Sequence, residues 1–325
     1  MLPKFTYVRP NSLDEAVRQL SADDSRLCAG GSDLLGCLRD EVFDCSKVVS
    51  ISALDQLRGV ERTRSGGLRI GALTRIAEVA QHPTVQELYP VLSQAAGEVA
   101  SPQLRNQGTL GGNLCQRPRC WYYRGEFHCR RKGGSTCYAM AGENQYHCIL
   151  GGSGCYIVHP SDTAPALLSL GASVEISGPT GSRTLALEEF FVPPSTDILR
   201  ETVLGPNEIV THVTIPAPPQ GLRSSYRKVR ARGSWDFALA GVALALTLNG
   251  HQVTGGRVVL SGAAPIPWRS REVEEAITGR TIDATTARAA AEAAMRDAVS
   301  LKRNAYKIPL FKGLIQEQLL RIEAA

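Results

Sequence analysis

The sequence predicts a protein of mixed helices and strands that folds into two or three domains. Its 325 residues are 43% hydrophobic, enough for sizeable cores, and contain no internal repeat or low-complexity tract. Short apolar segments typical of strands, at 47–51, 68–71 and 209–215, alternate with helix signals. The proline-rich residues 216–221 separate these segments from a second set of strands and helices, which predicts a linker between two domains.

The N-terminal part combines a helix signal with a glycine-rich turn. Ser12 and Glu15 form a capping-box pattern, which predicts a helix over 16–20. The turn Ala29-Gly-Gly-Ser-Asp-Leu-Leu35 follows a short apolar strand, and its paired glycines let backbone amides point at a phosphate. Ser32 and Asp33 are suited to cap the next helical turn or to hold a ribose. An ordinary glycine turn explains the same pattern, and the fingerprint Gly-x-Gly-x-x-Gly of Rossmann domains is absent.

A second glycine cluster, Gly108-Thr-Leu-Gly-Gly-Asn113, follows a predicted helical region. That region starts from a capping-box pattern at Thr84 and extends to about residue 100, with Pro90 breaking or restarting it. Two glycine-rich loops on separate strand–helix units would clamp a pyrophosphate from two sides. The pair is therefore a more specific signal than either loop alone.

Residues 115–155 hold six of the nine cysteines, and six arginine or lysine residues against two glutamates. Disulfides would require an oxidising compartment and an even number of paired cysteines. Structural zinc is usually held by two Cys-x-x-Cys knuckles, and this segment has none. An iron–sulfur cluster tolerates wider gaps between its cysteines, and its negative charge suits a basic segment. Composition and spacing alone favour the iron–sulfur interpretation and leave the zinc and disulfide interpretations open.

The later part of the chain offers fewer chemical signals. Ser161 or Asp162 could cap a helix over 163–170, and His159 has the character of a packed structural histidine. Strands are predicted at 172–176, 224–230 and 257–260, and helices at 285–299 and 310–322. Lys228 is the one candidate there for a cofactor contact, and a solvated lysine on a strand is the alternative.

Charge and hydropathy exclude several functional classes. The net charge of +5 lies mostly in the cysteine segment, so it does not indicate nucleic-acid binding. The longest apolar run, residues 237–246, is too short to span a membrane. The first ten residues contain no apolar signal core, so we expect a cytoplasmic protein; export on a partner's signal peptide would place it in the periplasm.

Four motifs, in this order, resemble a known family. They are Ala29-Gly-Gly-Ser-Asp-Leu-Leu35, Thr109-Leu-Gly-Gly-Asn-Leu114, His159-Pro-Ser-Asp162, and Tyr226-x-Lys228 with Asp236-Phe-Ala-Leu-Ala240. Together they resemble the FAD-binding medium subunit of the xanthine oxidase (molybdenum hydroxylase) family over essentially the whole chain. The resemblance implies an α+β protein: a two-subdomain FAD-binding fold of the vanillyl-alcohol-oxidase (PCMH) type, followed by a C-terminal α+β domain. The expected FAD-binding domain is 1–220, with subdomains of about 1–55 and 56–220 and an insertion at 115–156, and the C-terminal domain is 221–325.

The cysteine insertion resembles the members of this family that carry an extra [4Fe-4S] cluster, namely periplasmic aldehyde oxidoreductase and 4-hydroxybenzoyl-CoA reductase. Five cysteines follow Cys115, and only four can be ligands. The resemblance implies Cys120, Cys129, Cys137 and Cys155 as the ligands, with Cys148 in place of Cys129 as the alternative.

The resemblance also implies the FAD contacts. The pyrophosphate and ribityl chain would meet the first and second glycine loops and Ser101. Asp162 would bind the adenosine-side sugar or fix the second loop, and Lys228 would lie near the flavin or its phosphates. The full set is Ala29, Gly30, Gly31, Ser32, Asp33, Leu34, Leu35, Ser101, Thr109, Gly111, Gly112, Asn113, Asp162, Val210 and Lys228.

The function implied by the resemblance is electron transfer, without a general acid or base in this chain. Substrate oxidation would occur at a molybdenum cofactor in a large partner subunit. Electrons would pass two [2Fe-2S] clusters in a small subunit, then FAD and the [4Fe-4S] cluster, and leave to ferredoxin or another carrier. The assembly would be a heterotrimer, which could dimerise further.

Three alternatives remain. In the first, electrons flow in reverse from ferredoxin for the reductive dehydroxylation of an aromatic acyl-CoA. The second, from another class, is a zinc-stapled nucleotide-binding module without redox activity. The third is a free-standing FAD oxidase, for which the chain shows no catalytic base motif.

Overall fold

A computed structural model describes residues 2–20 and 24–324. The N-terminal sheet contains three parallel strands in the order β1-β3-β2. Its strands are β1 Thr6–Val8, β2 Ser25–Cys28 and β3 Lys47–Ser50. The helix Leu13–Gln19 begins as predicted at Ser12, whose Oγ accepts a hydrogen bond from the amide of Glu15 at 3.2 Å. The first glycine loop leaves the sheet at the end of β2.

The second sheet contains five strands in the order β4-β5-β8-β6-β7, paired antiparallel throughout. Its strands are β4 Val60–Arg62, β5 Leu68–Gly71, β6 Ser173–Gly178, β7 Gly181–Ala186 and β8 Ile209–Ile215. The connection from β5 to β6 is about one hundred residues long in sequence and carries the second glycine loop and the cysteine segment. The cysteine segment and the second glycine loop therefore both lie on a connection that starts and ends on this sheet, whereas the first glycine loop follows β2 of the N-terminal sheet.

The C-terminal sheet contains four antiparallel strands in the order β12-β11-β10-β9. Its strands are β9 Leu222–Val229, β10 Ala240–Asn249, β11 Gln252–Ser261 and β12 Trp268–Arg269. The apolar run predicted from sequence is β10. It is apolar on both faces because Ala243 and Ala245 pack into the core of the second sheet, whereas Val242 and Leu244 pack against the C-terminal helices.

The helices are short except for the last one. In chain order they are α1 Leu13–Gln19, α2 Leu34–Arg39, α3 Ile76–Gln81, α4 Pro83–Leu88, α5 Pro90–Gly97, α6 Pro102–Gln107, α7 Leu110–Leu114, α8 Trp121–Arg124, α9 Thr163–Ser169, α10 Arg271–Ile277, α11 Ala284–Ala294 and α12 Lys307–Ala324. None of the helices in the described residues is long and apolar enough to cross a membrane.

One predicted helix start is wrong. Thr84 does not cap a helix, because α4 already begins at Pro83 with His82 in the N-cap position. Proline is favoured in the first turn, since its missing amide would have no partner there. Pro90 restarts the helical stretch as the first residue of α5, as one of the two predicted alternatives has it, and α5 ends at Gly97. The rule that proline starts helices therefore outweighs the capping-box pattern in this region.

Candidate functional site

A long groove runs between the two glycine loops and reaches the C-terminal domain. We call it the glycine-loop groove; the space between its protein atoms, including the part open to solvent, is about 3350 Å³. Thirteen of the fifteen residues expected to contact FAD line it, namely Ala29, Gly30, Gly31, Ser32, Asp33, Leu34, Leu35, Thr109, Gly111, Gly112, Asn113, Asp162 and Val210. Ser101 and Lys228 are not in its lining. Residues far apart in sequence thus form one continuous wall.

The two glycine loops touch each other through their backbones. A Cβ atom on Gly30 would lie only 2.1 Å from the carbonyl oxygen of Gln107, so no side chain fits there. The Gln107 side chain closes the same contact, because its Nε2 donates to the Gly30 carbonyl at 2.9 Å. Gly31 adopts a φ of 72°, in the left-handed region that favours glycine. The glycines therefore allow the loops to come together at the groove.

The second glycine loop is held by polar side chains. Thr109 begins α7, and its Oγ1 accepts a hydrogen bond from the amide of Gly112 at 3.2 Å. The Asn113 Oδ1 accepts hydrogen bonds from the hydroxyls of Ser161 and Thr163, at 2.5 and 2.7 Å. Ser161 is also the residue that caps α9, since its Oγ accepts a hydrogen bond from the amide of Ala164. Asp162 makes no capping bond.

Asp33 anchors the start of the cysteine segment to the first glycine loop. It stands at the N-cap position of α2 but makes no capping bond, so the predicted cap is wrong. Its carboxylate instead accepts a hydrogen bond from the amide of Arg117 at 2.7 Å. The guanidinium groups of Arg119 and Arg124 lie 2.9 and 2.7 Å from the same carboxylate. Three arginines of the cysteine segment are therefore gathered at the groove wall.

Asp162, at the N-cap position of α9, contacts strand β9 of the C-terminal sheet. Its two carboxylate oxygens accept hydrogen bonds from the hydroxyl of Tyr226 at 2.7 Å and from Nζ of Lys228 at 2.8 Å. Lys228 also donates to the carbonyl of Glu98 at 3.1 Å. All three side chains are buried. Burial raises the pKa of the Asp162 carboxyl, and the ammonium of Lys228 acts against this rise.

The outer part of the groove is completed by the loop between β9 and β10. Trp235 lines the groove with its side chain 64% exposed and adopts a φ of 52°. Its amide donates to the carbonyl of Ala100 at 2.9 Å, next to Ser101, whose Oγ caps α6. The guanidinium of Arg119 lies over the ring of Phe237, with 5.0 Å from its Cζ to the ring centroid.

The second site is a cavity in the cysteine segment. Cys120, Cys129, Cys137 and Cys155 all line it, and we call it the cysteine cavity. It contains about 300 Å³ of space between protein atoms, including the part open to solvent. Cys148 is buried but does not line it. All nine cysteines lie in the described residues and are free thiols, which excludes the disulfide interpretation for this structure.

His147 lies against one of these cysteines. Its Nε2 is 3.3 Å from the Sγ of Cys120. Burial and the nearby Lys307 lower the pKa of His147 to about 4, so the imidazole is neutral at pH 7. Burial raises the pKa of the Cys120 thiol to about 12. The contact is thus a hydrogen bond between a neutral ring and a thiol, and a metal at this position would have to compensate the cost of a buried thiolate.

Across the part of the chain that the structure describes, no group of three or more histidine, cysteine or acidic side chains could hold a metal ion. Cys120, Cys129, Cys137 and Cys155 line one cavity, but they do not form such a group.

Sequence reasoning missed two contributors that the structure supplies. Glu201 comes from a loop without any motif, and one of its oxygens pairs with Arg117 and the other with Arg131. Trp235 directly precedes the Asp236-Phe motif, and this position beside a recognised motif could have identified Trp235 as a candidate. For Glu201 the only signal was one acidic residue in a loop that also carries Asp197, Arg200 and Glu208, which is too common to identify a site.

Comparisons with known proteins agree with this geometry. A family model described as the FAD binding domain in molybdopterin dehydrogenase matches residues 3–218. A second, described as the CO dehydrogenase flavoprotein C-terminal domain, matches residues 224–321. The aldehyde oxidoreductase FAD-binding subunit PaoB of Escherichia coli (strain K12) is 42% identical over 272 residues, which are 82% of this chain and 83% of PaoB.

The carbon monoxide dehydrogenase medium chain of Hydrogenophaga pseudoflava is 28% identical over 90% of this chain and 86% of its own length. A solved structure of carbon monoxide dehydrogenase from the same organism, lacking the Mo-pyranopterin moiety of its molybdenum cofactor, matches with a TM-score of 0.79. It has 26% identity and covers 100% of this chain and 99% of that one. The predicted fold class is confirmed. The chain therefore belongs to the family of FAD-binding medium subunits of the xanthine oxidase and carbon monoxide dehydrogenase group of oxidoreductases.

Proposed function

We propose that this chain is the electron-transfer subunit of a molybdenum-containing hydroxylase or dehydrogenase. It would hold FAD in the glycine-loop groove and a [4Fe-4S] cluster on Cys120, Cys129, Cys137 and Cys155. The observation that carries the proposal is the pairing of two distinct cavities, one lined by glycine loops and one by four cysteines.

The residues of the groove suit FAD. The close backbone contact between Gly30 and Gln107 brings the two glycine loops together along an elongated groove. Arg117, Arg119 and Arg124 lie along this groove and pair with Asp33 and Glu201, which leaves one net positive charge to meet a pyrophosphate. FAD, when bound, accepts electrons in pairs and releases them singly. The task of the protein is then to bind the cofactor and to fix its position.

The FAD contacts are proposed in two groups. The lining residues of the first and second glycine loops would contact the pyrophosphate and ribityl chain directly. Asp162 and Lys228 bind each other, so we propose that they fix the second loop and the domain contact rather than bind the flavin. Ser101 would act in the same indirect way, by starting α6 beside the groove.

We assign a four-iron cluster rather than one metal ion to the cysteine cavity, because no group of three or more histidine, cysteine or acidic side chains in the described residues could hold one metal ion. A cubane is larger than a single ion, so its four thiolates stand farther apart than the ligands of zinc do. Arg130 and Arg131 line the cavity and would offset the negative charge of a cluster. A [4Fe-4S] cluster, when bound, exchanges single electrons. Cys148 is buried outside the lining, which supports the set with Cys129.

We propose two partner subunits, a large one with the molybdenum cofactor and a small one with two [2Fe-2S] clusters, in a heterotrimer that could dimerise. Support comes from relatives such as the Hydrogenophaga enzyme, whose chain is named a medium chain. The substrate oxidation would take place in the large subunit. The external acceptor would be ferredoxin or a similar one-electron carrier.

The test is the iron and flavin content of the anaerobically purified full chain, with an electron paramagnetic resonance spectrum after dithionite reduction. We expect about four irons and one FAD per chain and the signal of a reduced cubane. One FAD without iron would reject the cluster and keep the flavoprotein. One zinc without flavin would reject both assignments in favour of a zinc-stapled module.

A further inference from the structure

Glu201 lies between the glycine-loop groove and the cysteine cavity. Its Oε2 pairs with Arg117, which lines the groove, and its Oε1 accepts a hydrogen bond from Nε of Arg131, which lines the cavity, at 2.9 Å. The Nη2 of Arg131 lies 2.7 Å from the same Oε1. The Glu201 side chain is 9% exposed and that of Arg131 is 2% exposed, so water cannot replace either partner.

Each arginine is bound to its own site as well. On the groove side, the amide of Arg117 donates to Asp33 in the first glycine loop at 2.7 Å. On the cavity side, Arg131 lines the same cavity as Cys155. A continuous row of polar contacts therefore joins a glycine loop to an arginine in the wall of the cysteine cavity.

The loop that carries Glu201 is fastened by the same arginine. Arg131 Nη1 donates to the carbonyl of Ile198 at 2.8 Å, and Nη2 donates to the carbonyl of Arg200 at 2.9 Å. A planar guanidinium has five N–H donors, so Arg131 can bind the loop carbonyls and the Glu201 carboxylate at the same time. Displacing Arg131 would consequently move the loop and release Glu201.

We propose that Glu201 is a positioning residue that couples the two sites, so that filling one site strengthens binding at the other. This inference rests on the proposed function, in which the groove takes FAD and the cavity takes a [4Fe-4S] cluster. A cluster in the cavity would fix the position of Arg131 in the cavity wall, and Arg131 in turn fixes Glu201, Arg117 and then Asp33 at the groove wall. The first ligand to bind loses the conformational entropy of ordering these side chains, so the second ligand binds to side chains that are already ordered. The coupling free energy is therefore the same whichever ligand binds first.

The test is a cycle of equilibrium FAD titrations on the full chain, using flavin fluorescence. Cys137→Ala removes a proposed ligand that does not contact Arg131, and the loss of iron is verified by analysis. We expect Cys137→Ala to weaken FAD binding about tenfold in the chain with Glu201 and less than about twofold in a Glu201→Gln background. Equal weakening in both backgrounds, or none in either, would overturn the coupling.

Glu208→Gln is the matched control. Glu208 also lines the groove, but it pairs with Arg183 at the surface, away from the cysteine cavity. The effect of Cys137→Ala on FAD binding should therefore stay about tenfold in the Glu208→Gln background. Loss of the effect there as well would mean that any groove carboxylate carries it, and would overturn the role of Glu201.

A second measurement tests the coupling in the unsubstituted chain, so it does not depend on whether Glu201→Gln folds. Iron release to a chelator should be slower from the FAD-loaded chain than from the FAD-free chain. Equal rates would overturn the coupling while leaving both cofactors in place. A chain that binds neither FAD nor iron would overturn the proposed function itself, so the two failures are distinguishable.

Discussion

The glycine-loop groove and the cysteine cavity lie side by side but are built differently. The groove depends on two loops whose backbones meet where a side chain would not fit, at Gly30 and Gln107, with side chains such as Arg119 and Trp235 completing its wall. The cavity is formed by side chains on a segment with only short helical turns, such as Arg130–Lys132 and Tyr138–Met140. The comparison teaches that the close approach of two backbone loops depends on glycine. A cavity lined by side chains depends instead on the contacts that hold its loops in place.

What holds the cysteine segment comes largely from the C-terminal domain. The Asn304 side chain donates to the carbonyls of His147 and Cys148, at 3.0 Å each. The buried Lys307 donates to the carbonyl of Tyr146 at 3.2 Å and to that of Gly262 at 2.8 Å. Asn304, in the loop before α12, and Lys307, at the start of α12, therefore fix the residues that flank the cavity. The glycines of the groove are instead held by side chains of their own domain, Gln107 on Gly30 and Thr109 on Gly112.

The largest expected effect breaks the groove alone. Gly30→Ala would place a Cβ 2.1 Å from the Gln107 carbonyl oxygen and force the two loops apart. We expect FAD binding to weaken about a hundredfold or more, with the iron content retained. Equilibrium dialysis with FAD and iron analysis measure the two effects.

Gly97→Ala is the control for that substitution, because nothing lies within 4 Å of the Cβ it would add in α5. It should leave FAD binding unchanged and stabilise the helix slightly. Stoichiometric FAD of normal affinity in Gly30→Ala would contradict the backbone origin of the groove.

The second prediction breaks the cavity alone. Cys129→Ala should lose the four-iron cluster, because its side chain lines the cavity, whereas Cys148→Ala should keep it. The measurement is the iron content and the paramagnetic signal of anaerobically purified protein. If Cys148→Ala loses the iron and Cys129→Ala keeps it, Cys148 is the ligand instead.

The third prediction concerns the contact that joins the groove to the C-terminal sheet. Lys228→Met leaves the buried carboxylate of Asp162 without its cation, so we expect a loss of about 3–5 kcal/mol in the free energy of unfolding. Tyr226→Phe removes one hydrogen bond to the same carboxylate and should cost about 1.5–3 kcal/mol. Urea unfolding measures both.

FAD content separates the two roles open to Lys228. A structural lysine leaves stoichiometric FAD in the folded Lys228→Met variant. Loss of FAD at full folding would instead support a direct contact with the cofactor, against our proposal.

The smallest expected effect lies on the segment that leads from the cavity to the groove. Burial lowers the pKa of His159 to about 3 in the folded protein. The His159 imidazole is therefore protonated far less readily in the folded protein than in the unfolded chain. Stability should therefore fall as the pH decreases below about 6.5, by about 2 kcal/mol at pH 5 from this residue. His159→Asn should remove that part of the pH dependence in urea unfolding between pH 8 and 5. An unchanged pH dependence would mean that His159 is accessible to protons.

Sequence reasoning succeeded where the signal was local. The Ser12 cap, the glycine loops and strand β8 at Ile209–Ile215 follow from residues that interact with near neighbours. It failed at Thr84, where two rules for starting a helix competed within two residues. Asp33 was also misinterpreted as a cap, because its partner Arg124 lies 91 residues away.

The amino-acid sequence by itself determined which chemical groups are available: glycines for close backbone approach, cysteines in excess, arginines beside them, and apolar residues at strand and helix spacing. Only the tertiary structure decided how these groups are used. It directs four cysteines rather than five to the cavity, ties Asp162 to Lys228, and places Glu201 between two arginines. The physical reason is that backbone conformation depends on neighbouring residues. The partner of a buried charge is instead set by distances between segments about 65 to 90 residues apart, which no local pattern records.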